Sequence, residues 1–167
     1  AKTTLPVFYG QPKADEQTGY SGYRGHLDAS LRETEYFPTS TFARIAEFFA
    51  AGREAVGPDF EMAVDCHGRL SPAAAVRLCE ALEPYNLLFI EEPVPPEDPA
   101  ALREVAQRST TPIAAGERLA TTYEAAPFIE QRSLAILQPD VANCGGITAA
   151  KKIAALAESR YISICPH

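Results

Sequence analysis

The chain has 167 residues, of which 46% are hydrophobic and 22% charged, and it carries a net charge of −7. This is the composition of a soluble globular protein, and an acidic balance with no basic cluster excludes nucleic acid and anionic membrane as partners. An anionic substrate would have to be drawn in by something local, such as a metal ion or an arginine.

In chain order, Leu5–Tyr9 reads as a first strand. Residues 10–38 are rich in Gly, Tyr and charge, show no clean period, and read as a long loop with room for one degraded strand. Within it, Tyr23, Arg24 and His26 are polar loop candidates for contacting a ligand. "TSTFARIAEFFAAGREAVG" predicts an amphipathic helix with Thr39 or Ser40 as its cap. From residue 60 onward, short apolar runs alternate with helices. The strand candidates are Glu61–Asp65, Leu87–Glu91, Pro112–Gly116, Leu134–Gln138 and Tyr161–Cys165. Ser71 before Pro72, and Asp98 before Pro99, mark two helix starts. "GGITAAKKIAALAES" predicts another helix, with Ile147, Ile153, Ala154 and Leu156 in helical phase. The Gly145–Gly146 pair before it is read as permitting a tight turn rather than binding an anion.

No apolar run approaches the roughly 20 residues of a membrane span, and the opening "AKTTLPVFYG" has no secretory apolar core. Cys66, Cys79, Cys144 and Cys165 show no C-x-x-C spacing. They are read as reduced thiols of a cytosolic, or cytoplasmic, protein, with Cys66 and Cys79 as packing residues.

Strand–helix alternation predicts βαβ units and a parallel sheet. Asp65 is 26 residues before Glu91, Glu91 is 26 before Glu117, Glu117 is 23 before Asp140, and Asp140 is 27 before His167. Each lies at or just past the C-terminal end of a strand candidate. A doubly wound sheet gathers only residues near its switch point, whereas a (β/α) TIM-type barrel builds its site from every strand end. The period therefore favours an α/β barrel. A closed barrel takes about 250 residues, so an incomplete one is expected.

Asp65, Glu91 and Glu117 end three consecutive strands. Single acids at strand ends are common on surfaces, but three at a regular period would converge at a barrel mouth. Their repulsion needs a counter-charge, and an all-oxygen set suits Mg²⁺. In "FEMAVDCHGR", strand alternation would turn Asp65 and His67 the same way, with Cys66 opposite. By the same alternation Glu92 would face away from the mouth. Arg118 and Arg69 are read as partners of neighbouring acids rather than substrate ligands.

The motifs "VDCHGR", "FIEEP", "AAGERL", "QPDVANCGGIT" and "CPH", in this order over about residues 60–167, resemble the enolase superfamily. The likeness is to its mandelate racemase-like branch, and within that to sugar-acid dehydratases of the D-galactonate dehydratase type. The resemblance implies that residues 1–167 form part of the C-terminal barrel domain, with the capping domain and the last strand absent, and with Asp65, Glu91 and Glu117 as Mg²⁺ ligands. It implies His167 as general base, Asp140 as its orienting carboxylate and His67 as general acid. The implied reaction is dehydration of an aldonate such as D-galactonate to a 2-keto-3-deoxy sugar acid. A small-molecule acid sugar is the implied partner, together with an assembly of identical subunits. Two alternatives are a mannonate- or gluconate-type dehydratase, against which "EEP" and "GER" speak, and a catalytically silent binding or regulatory member. The racemases carry a lysine motif on the second strand. Here the region about thirty residues before Asp65, "RETEYFP", has no Lys, which disfavours a two-base racemase.

Overall fold

In the computed structural model, the described residues are 1–5 and 39–167. The predicted long loop, with Tyr23, Arg24, His26 and "RETEYFP", lies outside them, as does most of the predicted strand Leu5–Tyr9. Six strands and five helices alternate: β1 (Lys2–Thr4), α1 (Thr39–Val56), β2 (Ala63–Asp65), α2 (Pro72–Leu82), β3 (Phe89–Glu91), α3 (Pro99–Arg108), β4 (Ile113–Ala115), α4 (Thr122–Glu130), β5 (Ile136–Leu137), α5 (Gly146–Glu158) and β6 (Ser163–Ile164). All strands are parallel, and their spatial order follows their chain order from β1 to β6. A doubly wound sheet must reverse direction at its switch point, and this one never does. Among the described residues, these six strands form the α/β arc of a TIM-type barrel, whose closed form has eight.

Each helix packs against the next, α1 on α2 through to α4 on α5, so one face of the arc is covered in sequence. Ala63, Val64, Ile90, Ile113, Ala114 and Leu137 are buried, as expected of parallel strands enclosed on both faces. Three helices start on side-chain caps. Ser71 accepts from the Ala74 N–H at 3.3 Å, Asp98 from Ala100 at 2.8 Å and Thr121 from Glu124 at 3.1 Å. No helix among the described residues is long and apolar enough to cross a membrane.

The structure corrects several expectations. The first strand is Lys2–Thr4, which pairs directly with β2 (Thr4 opposite Asp65), so the strand beside Asp65 does carry a lysine. Thr39 and Ser40 lie inside α1 rather than capping it. Helix α4 is not among the predicted elements. Pro127 sits within it, and the Thr121 cap with Glu124 three residues on is the signal that marks its start. Ile147 and Leu156 are exposed, and α5 buries Ile153 and Ala157 instead. Gly145 and Gly146 have φ of 100° and 84°, so the turn itself requires glycine. Cys66, Cys79 and Cys144 are buried and Cys165 is exposed, and all four are free thiols.

Candidate functional site

All six singled-out residues lie at the C-terminal ends of the strands, and the register explains why. Asp65 is directly opposite Glu91, and Glu91 is opposite Ala114, so the acids ending β2 and β3 lie side by side. Glu117 follows β4 by two residues, Asp140 lies three past β5, and His167 lies three past β6. Among the described residues, the ligand atoms of Glu91, Glu117 and His167 all lie within 4.8 Å of one another. Asp65 stands outside that group, with its carboxylate engaged by His67 and Lys2.

His67 meets Asp65, but not through strand alternation. The strand ends at Asp65, and His67 has φ +54°, a left-handed turn conformation. Its backbone N–H donates to Asp65 Oδ1 at 3.0 Å, and its Nε2 lies 3.0 Å from Asp65 Oδ2. The carboxylate folds the turn back on itself, as an Asx turn does. The hydrogen bond to Asp65 raises the His67 pKa, overcoming the opposing effect of burial. Burial pushes Asp65 up, but the His67 ring and backbone and the Lys2 charge outweigh it and hold it below the usual carboxylate range.

At the other end, His167 stands between two carboxylates. Its Nδ1 is 3.2 Å from Asp140 Oδ2, and its Nε2 is 2.9 Å from Glu117 Oε2. Asp140 Oδ1 also accepts from the Ala142 and Asn143 N–H groups at 2.7 and 3.1 Å. The His167 contact first, then these N–H groups, lower the Asp140 pKa.

Glu91 is fully buried, and burial raises its pKa despite the contacts that favour its charge. The Lys2 ammonium donates to its Oε1 at 2.9 Å, lies 2.7 Å from Oε2, and is 3.5 Å from Asp65 Oδ2. Burial works against that ammonium, but the two carboxylates outweigh it and raise the Lys2 pKa. A Gln138 hydrogen bond also favours the Glu91 charge. Glu91 Oε2 nonetheless accepts no hydrogen bond of good geometry, and neither does the buried Gln138 Oε1. A fully buried carboxylate with both oxygens within 2.9 Å of an ammonium, itself drawn between two acids, marks a place where clustered carboxylates require positive charge, which fits a hard divalent cation held by oxygen ligands. Lys2 and Gln138 both contact Glu91, and neither is among the site residues predicted from the sequence. The Lys2 signal was a lone cation just before the first apolar run, and Gln138 opens the "QPDVANCGGIT" motif at a strand end.

Glu92 has a left-handed backbone (φ +44°) where strand alternation was expected, and its carboxylate meets Arg118. It lines a small apolar cavity with Val94, Leu102, Leu119 and Phe128. Burial pushes its pKa up to about 7, opposed by Arg118 and reinforced by Glu117. Arg118 pairs with neighbouring acids as expected, at 3.1 Å from Glu92 Oε2 and 3.4 Å from Glu117 Oε1.

A sequence model of the enolase C-terminal domain-like family matches residues 15–167. Curated relatives include a D-galactonate dehydratase of Klebsiella pneumoniae (strain 342), 46% identical over 115 residues, covering 69% of this chain and 30% of that protein. A D-galactonate dehydratase of Ralstonia pickettii (strain 12J) is 37% identical over 157 residues, covering 93% of this chain and 40% of that protein. The chain thus spans only 30% and 40% of the length of these two relatives. Among solved structures, a racemase from Streptomyces coelicolor A3(2) with bound magnesium superposes with a TM-score of 0.73 at 34% identity, covering 75% of this chain and 35% of that one. A mandelate racemase/muconate lactonizing enzyme from Jannaschia sp. CCS1 gives 0.74 at 41% identity, covering 78% and 33%. With the ordered strand ends and the acid–histidine cluster, these matches establish that the chain belongs to the enolase C-terminal domain-like family.

Proposed function

We propose that the chain carries the reacting edge of a Mg²⁺-dependent sugar-acid dehydratase, a hydro-lyase acting on an aldonate such as D-galactonate. The observation that carries this reading is the pair of histidine–carboxylate contacts, His67–Asp65 and His167–Asp140, flanking the Glu91–Glu117 cluster. The D-galactonate dehydratase relatives support the substrate class.

Asp65, Glu91 and Glu117 would hold the Mg²⁺. When bound, the ion supplies positive charge against the dianion left by deprotonation next to a carboxylate. His167 takes the C2 proton on Nε2, while Asp140 on the Nδ1 side keeps the ring in one orientation. His67 gives its proton to the C3 hydroxyl, which leaves as water when the C3–O bond breaks. The resulting enol reprotonates at C3 to the 2-keto-3-deoxy acid.

Lys2 removes one ground for setting aside two-base racemisation, because it is a lysine on the strand beside Asp65. Its ammonium is committed to Glu91 and Asp65, and His67 has no work in a racemase, so dehydration remains the better reading. The test is a panel of aldonates incubated with the full-length protein and Mg²⁺. A 2-keto acid should form with galactonate, vanish with EDTA and return with added Mg²⁺. Epimer without keto acid would establish the racemase, and bound sugar without turnover a silent binder.

A further inference from the structure

Three separate turns meet at the reacting edge, and one guanidinium touches all of them. Arg118, after β4, lies 3.1 Å through Nε from Glu92 Oε2, in the turn after β3. The same Nε is 3.4 Å from Glu117 Oε1, and the Arg118 Nη2 donates to the His67 carbonyl, after β2, at 2.8 Å. The turns are tied to one another as well. Glu92 Oε1 accepts from the Gly116 N–H at 3.3 Å, and the Gly68 N–H donates to the Glu92 carbonyl at 2.7 Å. The space for the guanidinium is built in, since a Cβ at Gly68 would lie 2.7 Å from Arg118 Nη1 at a φ of +62°. The "HGR" and "GER" motifs are therefore one device, in which the glycine of the first leaves room for the arginine of the second.

We propose that Arg118 is a positioning residue, a brace that fixes the Glu117 carboxylate and the His67 turn relative to one another through the buried Glu92. The bland reading is that Arg118 only neutralises Glu92 and leaves the reacting groups indifferent. Geometry favours the brace. A planar fork can serve acceptors through separate nitrogens, here Nε toward the two glutamates and Nη2 toward the His67 carbonyl, and a point charge serving Glu92 alone would need neither the His67 carbonyl nor the clearance at Gly68. The proposal rests on the reading of Glu117 and His67 as reacting groups.

The experiment uses the full-length protein with Arg118→Lys, which keeps the charge without the fork, and the pair Arg118→Met/Glu92→Gln. The paired change avoids leaving Glu92 as a buried unpaired charge. Mg²⁺ affinity is read by calorimetry without substrate, and the His67 ring by its imidazole nitrogen signals in NMR. Both variants should fold cooperatively, bind Mg²⁺ roughly 10-fold or more weakly, as loss of a ligand-orienting contact does, and shift the His67 signals. Wild-type affinity with unmoved signals would overturn the brace, and so would full rescue by lysine. If the wild type itself takes up no Mg²⁺, the proposed function fails instead, and the brace stands or falls on the His67 signals alone.

Discussion

His67 faces Asp65 across 3.0 Å and His167 faces Asp140 across 3.2 Å, yet the surroundings of the two pairs differ. The first carboxylate is 8% exposed and its histidine 27%, whereas the second pair stands at 23% and 42%. Asp65 engages both the ring and the backbone of His67, and Arg118 holds the His67 carbonyl. Asp140 is fixed instead by the backbone of its own turn, and His167 is flanked by a second acid, Glu117. A half-buried, pinned imidazole with a raised pKa suits a proton donor held in one place. A more open ring set between an orienting acid and a cluster acid suits a group that takes a proton from an incoming substrate.

That contrast breaks most sharply under histidine replacement. His167→Asn should abolish both keto-acid formation and exchange of the C2 hydrogen with D₂O, a loss on the order of 10⁴-fold. His67→Asn should lose dehydration but keep C2 exchange, seen by proton NMR of the recovered sugar acid. Equal loss of exchange in both variants would erase the division of labour. Asp140→Asn comes next. It should lower turnover roughly 10²-fold, through ring orientation, while leaving Mg²⁺ affinity unchanged by calorimetry.

Behind the first pair sits Glu92, which gives a test of burial rather than catalysis. Its folded pKa is raised to about 7, so the stability it contributes is fully present below the unfolded value of 4.5 and is lost as pH rises to about 7. Glu92→Gln should therefore be more stable than wild type at pH 8, by about 1–3 kcal/mol, with the gain shrinking toward zero near pH 4.5 in urea titrations. A variant less stable at pH 8 would mean that the Arg118 pairing outweighs the cost of burial. The smallest effect belongs to the scaffold. Ser71→Ala removes the α2 cap and should cost about 1 kcal/mol in denaturant unfolding, with turnover and Mg²⁺ affinity unmoved.

How much of this could be read from the sequence depends on where the information lies. The βα period and the caps at Ser71 and Asp98 are local signals, and they led to the parallel arc and two of its helices. The acids at strand ends were legible for the same reason, because register follows from the period. Lys2 was missed because the apolar and aromatic run Leu5–Tyr9 looked more strand-like, which set the start of the first strand three residues after Lys2. Helix α4 was masked by Pro127, whose missing N–H argues against a helix interior, though its cap was visible in hindsight. His67 was predicted beside Asp65 for the wrong reason. Alternation was assumed where a left-handed turn operates, and the same error hid how Glu92 reaches Arg118. Backbone conformation past a strand end has no periodic signature, so contacts made there emerge only in three dimensions.

The account turns on one ion in one place. Crystals of the full-length protein grown with Mn²⁺ in place of Mg²⁺, with the anomalous signal of the metal mapped, would test this most directly. The expected result is a single peak about 2.0–2.2 Å from carboxylate oxygens of Asp65, Glu91 and Glu117, with Lys2 displaced and His167 unbonded to the metal. A peak ligated by the His167 nitrogen, or none near Glu91, would contradict the assignment of base and ligands alike.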